Sequence, residues 1–135
     1  MATSPGSPTS GTFGGGIVDG YEDSPMIRLQ VQDREGATVV SVQGEVDMVT
    51  APQLHSCLQD QLAMTPRRLV VDLAGVGFLG SSGLAVLVEC LDGARGRGTD
   101  LRLVASSRGV VRPLKATGLT ELFQTYPDVE SALAG

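Results

Sequence analysis

The sequence predicts an α/β fold with a mostly parallel, mixed sheet that is led by a β-hairpin and carries about four helices. Three patterns predict it. Residues 27–42 alternate between apolar and polar side chains, residues 69–73 are almost continuously apolar, and helix-type segments separate the strands from residue 50 onward. Because strands that alternate with helices need right-handed crossovers, most of the sheet is expected to be parallel.

The hairpin is predicted from the alternation. Ile27, Leu29 and Val31 share one face of the first strand, and Val40 lies on the second strand. The turn between them falls on residues 33–36, where Asp, Arg, Glu and Gly stand together. A strand pair of this kind leads the predicted sheet.

The first helix is predicted to begin near Thr50. Thr50 and Gln53 have the spacing of a capping box, in which each side chain bonds to the backbone N–H of the other residue. Pro52 falls in the first turn, where its missing N–H costs little. The predicted buried stripe of this helix contains Leu54, Cys57, Leu58 and Leu62.

Several glycines mark the later boundaries. Gly75 and Gly77 are expected to loosen the chain after the central strand at residues 69–73, and Gly118 is expected to stop the third helix. The remaining predicted elements are a helix after Ser81-Ser82-Gly83, a strand over residues 101–104, a helix from about Arg108 to Gly118, a strand over residues 122–126 and a short helix opened by Pro127-Asp128.

One folded domain accounts for the chain, since 135 residues suffice for a single core. Residues 1–25 are rich in Gly, Ser, Thr and Pro and are predicted to be a disordered tail, which leaves residues 26–135 as the domain. No stretch has the ~20 apolar residues that span a membrane, and no secretion signal opens the chain. We therefore expect a cytoplasmic protein without a membrane partner.

The charge balance argues against nucleic acid as a partner. Ten basic and fifteen acidic residues give a net charge of −5, which repels phosphate backbones. Basic residues gather late in the chain, but no aromatic residues lie between them, so a solvated face is predicted there. These basic residues are Arg95, Arg97, Arg102, Arg108, Arg112 and Lys115.

The two cysteines, Cys57 and Cys90, are predicted to be buried thiols, since their number and spacing match neither a disulfide framework nor a zinc motif. Redox control through a disulfide is the alternative, and it needs Cα atoms within about 7 Å of each other. No cluster of Cys, His, Asp and Glu suggests a metal centre, so no metal and no cofactor are expected.

The helix after Ser82 is unusually apolar, because Glu89 is the only polar residue between Leu84 and Leu91. Neighbouring elements could cover the surplus of apolar side chains. Part of it could instead form an apolar patch that binds a partner. The sequence leaves both interpretations open.

Two motifs near this helix suggest enzymatic or nucleotide chemistry but lack the required context. Residues 75–80 satisfy G-x-G-x-x-G, yet the helix begins too late and too little chain follows for a dinucleotide domain. Ser82 misses the G-x-S-x-G pattern, and the one histidine, His55, is expected to face solvent on a distant helix. The chain is therefore predicted not to be an enzyme.

The glycine-flanked pair Ser81-Ser82 is the candidate site. Free N–H groups and the helix dipole favour an anion at a helix N-terminus by roughly 0.3 to 1 kcal/mol, so a phosphate there should be tolerated. Its charge of about −2 beside an apolar helix would disfavour a docked partner. The competing interpretation is that Ser81 or Ser82 only caps the helix.

Three segments resemble the STAS-domain anti-sigma factor antagonists of bacteria. They are Gly44-Glu45-Val46-Asp47 with Thr50-Ala51-Pro52, then residues 76–84, and then Ala116-Thr117-Gly118-Leu119 ahead of Leu122-Phe123. The resemblance covers about residues 26–133 and implies a STAS-like fold. It also implies partner switching: the dephosphorylated protein binds an anti-sigma factor, itself a serine kinase, and so releases a sigma factor for transcription. Phosphorylation by that kinase reverses the binding.

The same resemblance implies the site residues. It places the phosphoacceptor on Ser81, with Ser82 as the second candidate, and an acidic position on Asp47. A phosphatase is a further candidate partner. The family usually has Asp immediately before the acceptor serine, where this chain has Gly80. The residues expected to contact the partner are Asp47, Thr50, Gly80, Ser82, Gly83 and Leu84.

Alternatives from other classes stay open. A small-ligand sensor would hold a nucleotide phosphate in the glycine-rich segment before Ser81. A redox-controlled interaction module would use Cys57 and Cys90. A small hydrolase would use Ser82 as its nucleophile and turn over an activated ester.

Overall fold

The computed structural model of the protein describes residues 27–135, which form a five-stranded sheet and four α-helices. The predicted disordered tail over residues 1–25 lies outside the described residues. No helix within 27–135 has the length and apolar character needed to cross a membrane. The elements are β1 (Ile27–Arg34), β2 (Ala37–Val46), α1 (Ala51–Ala63), β3 (Arg68–Leu79), α2 (Ser81–Arg97), β4 (Asp100–Val104), α3 (Arg108–Ala116), a 3₁₀ helix (Leu119–Glu121), β5 (Gln124–Tyr126) and α4 (Val129–Ala134).

The strands lie in the sheet in the same order as in the chain, from β1 to β5. β1 and β2 pair antiparallel, with Ile27 opposite Gly44 at the open end, so the predicted hairpin is confirmed. Glu35 and Gly36 form its turn with φ angles of 56° and 89°. The other three strand pairs are parallel, as the alternation of strands and helices predicted.

The main core lies between one face of the sheet and the first three helices. Leu69 and Val71 of β3 point into it, where they meet the buried stripes of α1, α2 and α3. Val70 points to the opposite face, under α4. β3 is thus covered on both faces, as its apolar run predicted. The smaller cluster under α4 contains Val39, Val70, Val104 and Ala132, with Tyr126, Val129 and Leu133 at its edge.

Two arginines fix the short helix α4 to the sheet. Arg68 and Arg102 donate from Nη1 to the carbonyl oxygens of Leu133 (2.7 Å) and Ala132 (2.9 Å), respectively. Asp100 accepts from Nε of both arginines, at 3.2 and 3.1 Å. Because Arg102 is buried, this carboxylate supplies the opposite charge that a buried guanidinium needs.

β3 is longer than predicted, since it continues through both glycines to Leu79. A Cβ at Gly75 would lie 2.8 Å from Cγ of Gln43 and 3.1 Å from the carbonyl oxygen of Val42. Glycine therefore lets β2 approach closely at the point where the pairing register shifts. The prediction that Gly75 and Gly77 loosen the chain is wrong, because both lie within β3. Close pairing with β2 requires glycine only at Gly75, since a Cβ at Gly77 would meet nothing within 4 Å.

The last strand is shorter than predicted. β5 contains only Gln124–Tyr126, since Leu122 follows a 3₁₀ helix and is half exposed. Phe123 is buried in the main core without belonging to a strand. Gly118 follows α3 with a left-handed φ of 76°, as expected of a stop, although the helix itself ends at Ala116.

Two helical glycines should respond in opposite directions to substitution by alanine. A Cβ at Gly109 in α3 would collide with the backbone of Gly77, whereas a Cβ at Gly96 in α2 meets nothing within 4 Å. We expect Gly109→Ala to lower the free energy of unfolding by about 1–3 kcal/mol through overpacking. Gly96→Ala should raise it by about 0.5–1 kcal/mol through helix propensity. Denaturant unfolding measures both, and an unchanged Gly109→Ala variant would contradict the contact.

Candidate partner-binding site

The candidate site lies where β2 and β3 end side by side. The amide of Gly80 donates to the carbonyl oxygen of Val46 at 2.8 Å. This bond joins the residue before Asp47 to the residue before Ser81. A Cβ at Gly83 would lie 2.6 Å from Cγ1 of Val46, so only glycine lets the first turn of α2 sit this close to the ends of the strands.

Ser81 is the first residue of α2 and is exposed, while Ser82 beside it is half-buried. The N-cap position belongs to Gly80, whose backbone is extended and which has no side chain to cap the helix. Neither serine hydroxyl has a hydrogen-bond partner among residues 27–135. The interpretation that Ser81 or Ser82 only caps the helix is therefore wrong, and the first N–H groups of α2 stay open to an anion.

Asp47 and Thr50 close the turn before α1. Oδ1 of Asp47 accepts from the backbone N–H groups of Val49 (2.9 Å) and Thr50 (3.0 Å). The Thr50 hydroxyl accepts from the Asp47 N–H at 3.0 Å and donates to the Glu45 carbonyl oxygen at 2.8 Å. The predicted capping box between Thr50 and Gln53 is wrong, because these bonds already engage the Thr50 hydroxyl and it caps no N–H of α1.

The carboxylate of Asp47 places a negative charge at the site. The hydrogen bond from the Thr50 backbone lowers the pKa of Asp47, desolvation acts against it, and the bond from the Val49 backbone lowers it further. Since the net effect is a lowered pKa, this carboxyl is ionised at neutral pH. The turn beside the start of α2 therefore carries a fixed negative charge.

Three exposed apolar side chains lie in the same region. Met48 and Val49 belong to the turn after Asp47 and are 78% and 70% exposed. Phe78 is 50% exposed and lies over Gly80, where a Cβ would be 3.1 Å from its ring. We call these three side chains, Met48, Val49 and Phe78, the apolar rim. Large apolar groups gathered at one end of a domain are typical of a protein-binding surface.

The apolar side chains of α2 do not supply this surface. α1 packs along α2 and helps to cover it. The interpretation that neighbouring elements cover the surplus is therefore correct, and Leu84, which was predicted to contact a partner, is half-buried against the core. The buried residues of α2 are Gly83, Val86, Leu87, Cys90, Leu91 and Ala94.

A groove of about 470 Å³ lies between α1 and α2, next to Ser82. His55 is partly exposed, and its Nε2 lies 3.1 Å from Oε1 of Glu89. No hydrogen bond joins the His55 ring to the Ser82 hydroxyl, so the nucleophile–base contact of a serine hydrolase is not formed. The groove is lined by Met48, Ala51, Pro52, His55, Ser56, Ser82, Val86 and Glu89.

Both cysteines are free thiols, fully buried where α1 and α2 pack together. Burial raises the pKa of Cys57 and of Cys90 to about 12, so almost no thiolate forms near neutral pH. The prediction of buried thiols is confirmed. Because disulfide formation proceeds through the thiolate, burial disfavours the redox alternative in the folded chain.

The predicted partner-binding residues divide into accessible and buried ones. Asp47, Gly80 and Ser82 reach the surface in part, whereas Thr50 and Gly83 are buried and hold the backbone in place. The sequence patterns did not identify the apolar rim. A signal was present, because two large apolar residues stand in the turn between Asp47 and Thr50, where polar residues are usual.

Residues 28–132 match the STAS domain. The anti-sigma-F factor antagonist RsfB of Mycobacterium tuberculosis is 34% identical over 109 residues, which cover 81% of this chain and 88% of RsfB. RsfA of the same organism, also an anti-sigma-F factor antagonist, is 32% identical over 113 residues, which cover 82% and 88%. The crystal structure of an anti-sigma factor antagonist from Mycobacterium paratuberculosis has a TM-score of 0.77 at 41% identity and covers 82% of this chain and 95% of that one. The resemblance and the STAS-like fold expected from the sequence are confirmed.

Loss of the Thr50 hydroxyl should weaken the turn that carries Met48 and Val49 of the apolar rim. Thr50→Val keeps the shape but leaves the Asp47 N–H and the Glu45 carbonyl without their partner, so we expect the free energy of unfolding to fall by about 1–3 kcal/mol. Thr50→Ser keeps the hydroxyl and serves as the control, with a clearly smaller loss. Denaturant unfolding distinguishes the two variants. Equal losses would show that the hydroxyl contributes no more to stability than the methyl group.

The stability of the domain should fall as the pH rises from about 9 to about 12. Burial raises the pKa of Cys57 and Cys90 from 9.0 to about 12. The unfolded chain therefore releases these protons first, and the free energy of unfolding decreases through this range. Urea unfolding on both sides of pH 9 measures the decrease. The Cys57→Ala/Cys90→Ala variant, which lacks both thiols, should show a flatter pH dependence, and an identical slope would contradict the assignment.

Proposed function

The chain belongs to the STAS domain family, and we propose that it is an anti-sigma factor antagonist controlled by phosphorylation of Ser81. In this proposal the unmodified chain binds an anti-sigma factor that is also a serine kinase, which frees a sigma factor for transcription in the cytoplasm. Phosphorylation by that kinase ends the binding, and a phosphatase restores it. An exposed serine whose hydroxyl has no hydrogen-bond partner among residues 27–135, at a helix N-terminus near the apolar rim, carries this proposal.

Ser81 is placed to accept a phosphate without loss of the fold. Its hydroxyl has no partner among residues 27–135, so the modification breaks no contact there. The helix dipole favours negative charge at this end of α2 by roughly 0.3–1 kcal/mol. Ser82 suits the role less, since it is half-buried and lines the groove between α1 and α2.

The same phosphate would oppose the binding of a partner. A partner that covers the apolar rim removes water from the region of Ser81, and a phosphate with a charge of about −2 then loses part of its hydration. Asp47 already places one negative charge at this end of the domain. A second, larger charge beside it raises the cost of desolvation when a partner covers this end of the domain.

Gly80 gives this chain a different surface just before the acceptor. A side chain at position 80 would first meet the ring of Phe78, with its Cβ 3.1 Å from Cε2 and 3.4 Å from Cζ. An aromatic ring therefore occupies the space next to the backbone where the family usually has a carboxylate. A kinase that modifies Ser81 has to recognise this ring, and Asp47 offers it an ionised carboxylate at the same end of the domain.

Charge at position 81 should govern partner binding while the fold stays intact. We expect Ser81→Asp to melt within a few degrees of the wild type and to bind the partner at least ~10-fold more weakly, about 1.4 kcal/mol. Ser81→Asn has nearly the same shape without the charge and should bind close to the wild type, as should Ser81→Ala. The probe is the anti-sigma-F factor that RsfB and RsfA antagonise in Mycobacterium tuberculosis. Calorimetric titration measures the affinities.

Two results would count against the proposal. If Ser81→Asp binds as tightly as Ser81→Asn, negative charge at this position does not control the complex. If the anti-sigma factor and ATP leave no phosphate on the wild-type chain, as seen by mass spectrometry, Ser81 is not the acceptor of that kinase. In the Ser81→Ala variant any remaining phosphate reports directly on Ser82.

A further inference from the structure

We propose that the exposed basic stripe of α3, formed by Arg108, Arg112 and Lys115, receives an acidic segment of the anti-sigma factor and so fixes the orientation in which that partner binds. This inference rests on the proposed function and adds a second contact to the site at Ser81. It concerns a surface that the sequence patterns had assigned only to solvent.

The basic stripe is one side of an amphipathic helix. Its residues are spaced by four and then three positions, which places them on one face of α3. All three are exposed, and none forms an ion pair with a carboxylate of residues 27–135. On the other side of the helix, Val110 and Leu114 are buried. Within residues 27–135 no carboxylate therefore neutralises the positive charges of the stripe.

Charges of opposite sign are separated in this domain. Residues 35–66 include Glu45, Asp47 and Asp60 but no Lys or Arg, whereas residues 103–120 contain the basic stripe but no Asp or Glu. The turn before α1 is thus acidic and α3 is basic. A partner that covers both surfaces has to present charges of the opposite polarity, and it can do so in one orientation only.

The start of α3 is fixed to the end of β3, close to the site. The Ser107 hydroxyl donates to the carbonyl oxygen of Val76 at 2.8 Å. At Gly109 the helix touches the backbone of Gly77, since a Cβ there would collide with the carbonyl oxygen of that residue. Arg108 lies between these two contacts. The basic stripe therefore begins at a fixed position beside the strand that leads to the acceptor serine.

The chemistry of the stripe favours an acidic protein segment over nucleic acid. The whole chain carries a net charge of −5, which opposes the approach of a phosphate backbone. α3 has no aromatic side chain on which a base could stack. Acidic side chains on a folded partner need only a short stripe of cations, and such pairs act mainly on the association rate and on orientation.

Two charge reversals of equal size test the inference. Arg112→Glu changes the middle of the stripe, and Arg67→Glu changes an exposed arginine just before β3, at the other end of that strand. Stopped-flow association with the same anti-sigma-F factor is measured at about 50 mM and about 500 mM salt, since the higher concentration screens surface charges. We expect Arg112→Glu to slow association at least ~3-fold at low salt and much less at high salt, and Arg67→Glu to stay within ~1.5-fold of the wild type. Thermal melts confirm that both variants fold.

Several outcomes would show that the basic stripe does not contact the anti-sigma factor. Equal slowing by both variants would reveal only an effect of net charge. If Arg112→Glu associates as fast as the wild type while Ser81→Asp still weakens binding, the stripe is not a contact and the proposed function stands. A wild-type chain that binds no anti-sigma factor overturns the proposed function, and the stripe with it. Binding of a DNA oligonucleotide that is lost in Arg112→Glu and kept in Arg67→Glu would assign the stripe to nucleic acid.

Discussion

The hydrogen bond between the Gly80 amide and the Val46 carbonyl oxygen holds the functional end of this domain together. At 2.8 Å it ties the end of β2 to the start of α2, beyond the register shifts between β2 and β3. On one side the chain continues into the turn at Asp47, and on the other it enters α2 at Ser81. Gly83 packs against Val46 at the same point. Ser81, the proposed acceptor, and the acidic turn are therefore positioned by one backbone contact and the glycine beside it.

Buried residues position the candidate site, and exposed residues form the surface that we propose faces a partner. Thr50 has no exposed surface, and its hydroxyl links the backbone of Asp47 to that of Glu45. Met48 and Phe78, in contrast, contribute little to the core and present apolar surface to solvent. We expect substitutions in the first group to act through the free energy of unfolding and substitutions in the second group to act on the proposed complex.

Sequence patterns were sufficient for the order of the elements, because burial on one face or on both faces is visible in the period of the side chains. The sequence patterns gave wrong predictions for residues that could occupy either of two environments. The sequence around Gly75 predicts that the strand ends there, but the role of this glycine depends on β2, which is adjacent in space and distant in sequence. The Thr50 hydroxyl could cap α1 or bond to Glu45, and tertiary packing decides. The start of a helix at Ser81 was predictable from its glycine neighbours, whereas the exposure of Phe78 was not, since burial is not a local property.

The order of the strands also shapes the route by which the chain folds. Because every strand pairs with its neighbour in sequence, each closure joins segments separated by at most one α-helix, with a short 3₁₀ helix in addition between β4 and β5, and the loop-closure entropy of each step stays small. We expect the β1–β2 hairpin to provide the local nucleus and the addition of β3 to set the rate, since that step first requires a parallel pair and a docked helix. β4 and β5 then extend the sheet at one edge only. In this expected order, the bond between Gly80 and Val46 would form as β3 is added, so the candidate site would be assembled in the same event that commits the chain to its fold.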